Sequence, residues 1–166
     1  MKRVVVYECG AMRATLASHR GLVTMDFSGV VTLAALEAFV VELPALLQDR
    51  WPAVYLCTFT RAVIATTADD LTGLFRDVNQ DDAHAVPAAV VARPHDMPLF
   101  NLHAWQLAQK GILRVVFTDD ESAFSWAQAR AQRALPQPSI PVRRKPRDSI
   151  SRPALQPRAR PVSDPC

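Results

Sequence analysis

Arg61, Thr66, Asp70, Arg93 and His95 are the residues best placed to do chemistry in this chain. Each stands shortly after an apolar run, in a segment expected to be a loop or the first turn of a helix. In an open sheet of parallel strands, ligands bind where loops leave the carboxyl ends of the strands. The expected loops here are residues 60–67, 93–96 and 118–121. Arg61, Thr66, Arg93 and His95 are expected to face a common crevice. The two arginines offer paired donors to an anionic ligand or to a partner's carboxylate.

Other chemistries find less support. The three loops contain no glycine, so no phosphate-cradling loop can be built from them. The helices after them open on acids: Asp69 and Asp70, then Asp96, then Asp119, Asp120 and Glu121. Such carboxylates favour the helix dipole and repel a phosphate. His84, His95 and His103 show no H-x-x-x-H or H-E-x-x-H spacing, so no metal site is assigned. There is no G-x-S-x-G elbow, and Cys9, Cys57 and Cys166 have no readable histidine partner. Three widely spaced cysteines form neither a disulfide framework nor a zinc pattern. Cys57 reads as a small buried hydrophobe. No catalytic residue, metal or cofactor is therefore expected, and a binding role is favoured over an enzyme.

Charge separates the chain into two parts. From Leu135 on there are seven basic and two acidic residues, leaving twelve basic and fourteen acidic residues before it. Eight of the thirteen prolines also fall after residue 135. Proline lacks an amide donor and constrains its predecessor, so this stretch cannot prolong a helix. We expect an α/β domain over residues 1–133 and a disordered, basic, proline-rich tail over 134–166. The body gives no electrostatic reason to bind nucleic acid, which leaves only weak, salt-sensitive attraction through the tail. The tail also holds Pro138-Ser-Ile-Pro141-Val-Arg143, a P-x-x-P-x-R pattern suited to aromatic grooves. The longest uncharged stretch, 97–109, falls short of the ~20 residues of a membrane span. A cytoplasmic location is expected.

The elements that must position these residues follow from periodicity. Runs 3–7, 12–17 and 22–27 read as strands, with His19-Arg20-Gly21 as a hairpin turn. Residues 33–48 carry Leu36, Phe39, Val40, Leu43 and Leu47 on one helical stripe, which Pro44 is expected to kink or break. A buried strand follows at 53–59, then a helix at 68–78 with Leu71, Leu74, Phe75 and Val78 on one face. Residues 88–92 form a short apolar strand. The helix at 97–110 has Asp96 at its N-cap, Pro98 in its first turn and Gly111 past its end. A last strand at 113–117 leads to a helix starting at Thr118-Asp119-Asp120-Glu121, a capping-box spacing, and ending near Arg133. This order predicts an α/β fold: a mixed sheet with an antiparallel N-terminal edge and parallel strands joined by helices.

Three segments resemble the STAS superfamily, above all its SpoIIAA-like branch, which overlaps SEC14-like domains. They are Gly21-Leu-Val-Thr-Met-Asp-Phe-Ser-Gly29 before a Thr-Leu-initiated helix, the strand at 53–59 with its loop and helix, and Pro87–Arg93 together with Phe117–Trp126. The resemblance implies a non-enzymatic regulatory module that docks on a partner protein. Its alternative is a small-ligand or lipid-binding domain of the SEC14-like kind, with Phe100 and Trp105 lining a cavity. Phosphorylated members carry Asp-Ser-x-Gly, whereas Ile64-Ala-Thr-Thr-Ala-Asp-Asp-Leu71 stands here. Thr66 aligns with the phospho-acceptor, but Ala65 replaces the aspartate and the glycine is missing. The usual phosphoserine switch is therefore not expected.

Overall fold

A computed structural model describes residues 3–48, 52–75 and 85–134. The tail beyond Ala134, Val78 and His84 lie outside the described residues. Six strands form one sheet in the order of the sequence: β1 (Arg3–Cys9), β2 (Met12–His19), β3 (Leu22–Thr32), β4 (Val54–Ala65), β5 (Ala88–Val91) and β6 (Arg114–Phe117). β1, β2 and β3 pair antiparallel, and β3 to β6 pair parallel. The expected mixed sheet with its antiparallel edge is the one observed.

Local chemistry explains the joints. Arg20 and Gly21 both adopt positive φ (45° and 78°), which makes the two-residue hairpin turn whose twist suits antiparallel strands. Four helices follow the parallel strands: α1 (Leu33–Leu47), α2 (Ala68–Gly73), α3 (Met97–Ala108) and α4 (Asp120–Ala134). Each parallel connection steps to the next strand in the same direction, so crossovers of one hand place their helices on one face. Accordingly α1, α2 and α3 contribute Phe39, Leu71 and Phe100 to one core with Met25, Phe27, Phe59 and Val90 of the sheet. Within it, Phe27 stacks on Phe59 with ring centroids 4.5 Å apart, and Phe59 meets Phe100 at 4.9 Å.

Among the described residues, α4 alone closes the opposite face. Ala123, Ala127 and Ala131 recur every four residues and are buried against Leu22, Val54, Leu56, Ala89 and Val91. Their small side chains let the helix approach the strands closely. On this face α4 leaves β1 and β2 uncovered, where Val4 and Val6 are exposed.

Several local expectations are corrected. α1 runs through Pro44 to Leu47 without a break. Leu43 and Leu47 are buried on both sides of the proline, and their packing offsets the ~3 kcal/mol that an interior proline costs. Val40 is half-buried, while Ala35 joins the buried stripe instead. Asp96 occupies the position before α3 but makes no capping hydrogen bond, since a short 3-10 turn, Pro94–Asp96, precedes the helix. α4 is capped by Asp119, whose Oδ1 accepts from the Ser122 amide at 2.7 Å, not by Thr118 with Glu121.

Candidate functional site

The largest correction concerns the segment 60–67, expected to be a loop. β4 continues as a strand to Ala65. Residues 61 to 63 alternate exposed, buried, exposed, with Ala62 in the core. That two-residue period is a strand signature. β3 matches it by running on to Thr32, and past an irregularity between Asp26 and Ser28 the register is Ser28–Arg61, Gly29–Ala62, Val30–Val63, Val31–Ile64 and Thr32–Ala65. β5 pairs with β4 only from Tyr55 to Thr58. β3 and β4 thus project beyond the rest of the parallel sheet as a two-stranded ledge.

Arg61 lies on this ledge, where its guanidinium donates to Asp26 Oδ2. Asp26 Oδ1 is buried and has no hydrogen-bond partner among the described residues. Val30 and Val63, adjacent in register, are 39% and 54% exposed. Alternation from buried Val31 and Ala62 puts both valines on the α4 side of the sheet, together with Arg61. The ledge therefore carries a mixed patch: two neighbouring valines beside one ion pair.

At its end Thr66 and Thr67 turn the chain into α2. Thr67, not Thr66, caps the helix. Its Oγ1 accepts from the Asp70 amide at 3.1 Å, while Asp70 Oδ2 accepts from the Thr67 amide at 3.3 Å and from the Thr67 hydroxyl at 2.8 Å. Asp70 is thereby committed to a reciprocal capping box. The Thr66 hydroxyl is buried with no hydrogen-bond partner among the described residues.

Arg93 and His95 converge elsewhere, on the Asp96 carboxylate. Arg93 Nε donates to Asp96 Oδ2 at 2.9 Å, and His95 Nε2 stands 3.4 Å from the same oxygen. The predicted site residues thus make two sets of polar contacts, Arg61 with Asp26, and Arg93 and His95 with Asp96. Among the described residues, no group of three or more His, Cys, Asp or Glu is arranged to hold a metal ion. No described helix is long and apolar enough to cross a membrane.

A second feature lies in the core. Between the sheet and α1–α3 lies a cavity of about 120 Å³, walled by Phe27, Phe39, Phe59, Phe75 and Phe100 among other apolar groups. Tyr55, Cys57, His103 and Arg114 are its polar members. Phe100 lines it as expected, but Trp105 does not; its side chain is 62% exposed. Helical spacing explains the difference, because Trp105 follows Phe100 by five residues and points away from it. The volume is well below the ~300–1,000 Å³ of pockets for drug-sized ligands.

The polar groups of the wall are individually constrained. Burial pushes the Cys57 thiol up to about 11, against a smaller opposing effect of Arg114. Arg114 donates to the carbonyls of Val86 (2.7 Å) and Leu113 (3.0 Å), and its guanidinium carbon lies 5.3 Å from the Phe75 ring centre. His103 is the buried polar residue of the core, and burial, helped by Arg114, lowers it to about 4. It is therefore neutral at pH 7. Its Nδ1 is 3.0 Å from Thr72 Oγ1, Thr72 donates to Gln106 Oε1 at 2.6 Å, and Gln106 Nε2 donates to Asp69 Oδ1 at 2.6 Å. The available signal was the pair of polar residues three apart on each helix, Asp69 with Thr72 and His103 with Gln106.

No family model matches the chain, and no curated protein matches it either. Solved structures with a similar fold include an anti-sigma factor antagonist from Mycobacterium paratuberculosis, 13% identical with a TM-score of 0.47, covering 70% of this chain and 94% of that one. Another is an uncharacterized protein of the DUF3478 family with a SpoIIAA-like fold from Shewanella loihica PV-4. It is 15% identical with a TM-score of 0.41, over 76% of this chain and 93% of that one.

Proposed function

We propose that the chain is a non-enzymatic regulatory module of the STAS/SpoIIAA-like kind, acting by docking a partner protein on the β3–β4 ledge. The observation that carries this reading is the pairing of exposed Val30 and Val63 beside the Arg61–Asp26 ion pair. Interface centres are more apolar than the surrounding surface and enriched in arginine, which fits two exposed valines beside Arg61. Arg61 is the docking residue of the five read from the sequence. Arg93 and His95 form a second polar cluster after β5, and Asp70 serves the start of α2.

The reading dispenses with a phosphorylation switch. Thr66 offers a buried hydroxyl, so a kinase would first have to open the turn between β4 and α2. A SEC14-like lipid role is disfavoured by size, since a cavity of about 120 Å³ does not accommodate a two-chain lipid.

Affinity capture from the native host tests the docking surface. Val63→Asp puts an unpaired charge into the patch and is expected to lower partner recovery at least tenfold, the effect of losing roughly 1.4 kcal/mol. Val41→Asp, on an α1 residue that is 76% exposed, is expected to leave recovery unchanged. Equal recovery with both variants would place the interface elsewhere.

A further inference from the structure

The relay that joins α2 to α3 fixes the tautomer of His103. Asp69 is a carboxylate and only accepts, so the amide nitrogen of Gln106 must face it. That orientation presents Gln106 Oε1 to Thr72, whose single hydroxyl proton is then used. Toward His103 the Thr72 oxygen can only accept. The imidazole proton must therefore sit on Nδ1, and Nε2 carries a lone pair. Thr72 lies outside the cavity wall, whereas His103 lies in it. Among the described residues nothing donates to Nε2.

We propose that this cavity is a binding site for a small, neutral, flat molecule of the size of phenol, its ring held among the phenylalanines and its hydroxyl donating to His103 Nε2. The inference is independent of the docking surface, which lies on the other face of the sheet. Size sets the ligand class: about 120 Å³ is close to the ~150 Å³ of an engineered apolar cavity that takes up benzene. The space exists because Cys57, Ala88 and Val90 supply short side chains to the sheet beneath it, while Phe39, Phe75 and Phe100 stand around it. Chemistry sets the specificity. The wall offers an acceptor whose proton position is dictated from the surface by Asp69, so a hydroxyl or N–H donor is recognised.

The test uses the full chain and two probes of nearly equal shape, phenol and toluene. Comparing their affinities in the wild type and in His103→Leu cancels their different costs of leaving water. The preference for phenol over toluene is expected to fall roughly 3- to 10-fold in the variant, the worth of one buried hydrogen bond. A second measurement needs no variant: in the wild type with ¹⁵N-labelled histidine, phenol shifts the Nε2 resonance of His103 and toluene leaves it in place. Binding of neither probe at millimolar concentration overturns the proposal. So does an Nε2 resonance indifferent to phenol, or tighter binding of benzoate than of phenol, which would make Arg114 the selecting group.

Discussion

Replacing Gly29 with alanine is expected to destabilise the protein by about 3 kcal/mol, the combined effect of a left-handed backbone and a steric overlap. Gly29 sits at φ 78°, and a Cβ there would overlap the Ala11 carbonyl oxygen. That carbonyl is held in place because it accepts from the Val30 amide at 3.1 Å. Neither side can give way without breaking the join between the first hairpin and the far end of β3. The close approach is what lets β3 pass the end of β2 and continue to Thr32, whose hydroxyl caps α1 by accepting from the Ala35 amide at 3.2 Å. Gly10→Ala is the matched control: its φ is 58° with open space around it, so only the backbone cost of about 1–2 kcal/mol is expected. Urea unfolding of the two variants measures the difference. Equal losses would show that the Ala11 approach does not constrain the ledge.

His103 is expected to make stability depend on pH between 7 and 5. Its ordinary value is 6.5 and its folded value is about 4, lowered by burial and by the Arg114 charge. Between those values the unfolded chain binds a proton that the folded chain refuses, so stability falls as pH drops from 6.5 toward 4. Below about 4 both states are protonated and this contribution levels off. Lowering the pH from 7 to 5 is expected to remove about 2 kcal/mol through this residue. His103→Gln abolishes that part of the pH dependence while keeping a polar group beside Thr72. Chemical denaturation of both proteins at the two pH values checks it; identical losses would mean that His103 is not held neutral.

Much of the architecture was legible in the sequence because local signals and burial agree. The β2–β3 turn is an example: Arg20-Gly21 between two apolar runs permits a two-residue hairpin, and both residues take the positive φ it needs. The apolar runs at β4 and β5 and the helices between them likewise predicted parallel strands. What misled was polarity at strand ends. Thr60 and Arg61 resemble a loop, yet β4 continues because Ala62 is buried and β3 offers five further register partners, Ser28, Gly29, Val30, Val31 and Thr32. A charged residue in a strand is tolerated when its side chain faces solvent and finds an opposite charge, as Arg61 does on Asp26.

The candidate site was legible in part. Arg61 was singled out as a docking residue and stands on the exposed ledge, but its neighbours Val30, Val63 and Asp26 were not, since register across β3 and β4 decides that juxtaposition. Asp70 and Asp96 illustrate how one residue type takes different work. The first completes a capping box, whereas the second leaves its helix uncapped and holds Arg93 and His95. The cavity was expected at Phe100, but its size and its other walls were hidden for another reason. It is a shortage of side-chain volume at Cys57, Ala88 and Val90 relative to the rings around them, and periodicity reports which residues face inward, not whether they fill the space.

The ledge as the partner-facing surface is tested most directly by site-specific photo-crosslinking in the native host. A photo-reactive amino acid at position 63 is expected to yield a covalent adduct with one defined protein, and the same group at position 41 none. An adduct from position 41 with none from position 63 would contradict the assignment of the partner surface to the β3–β4 ledge.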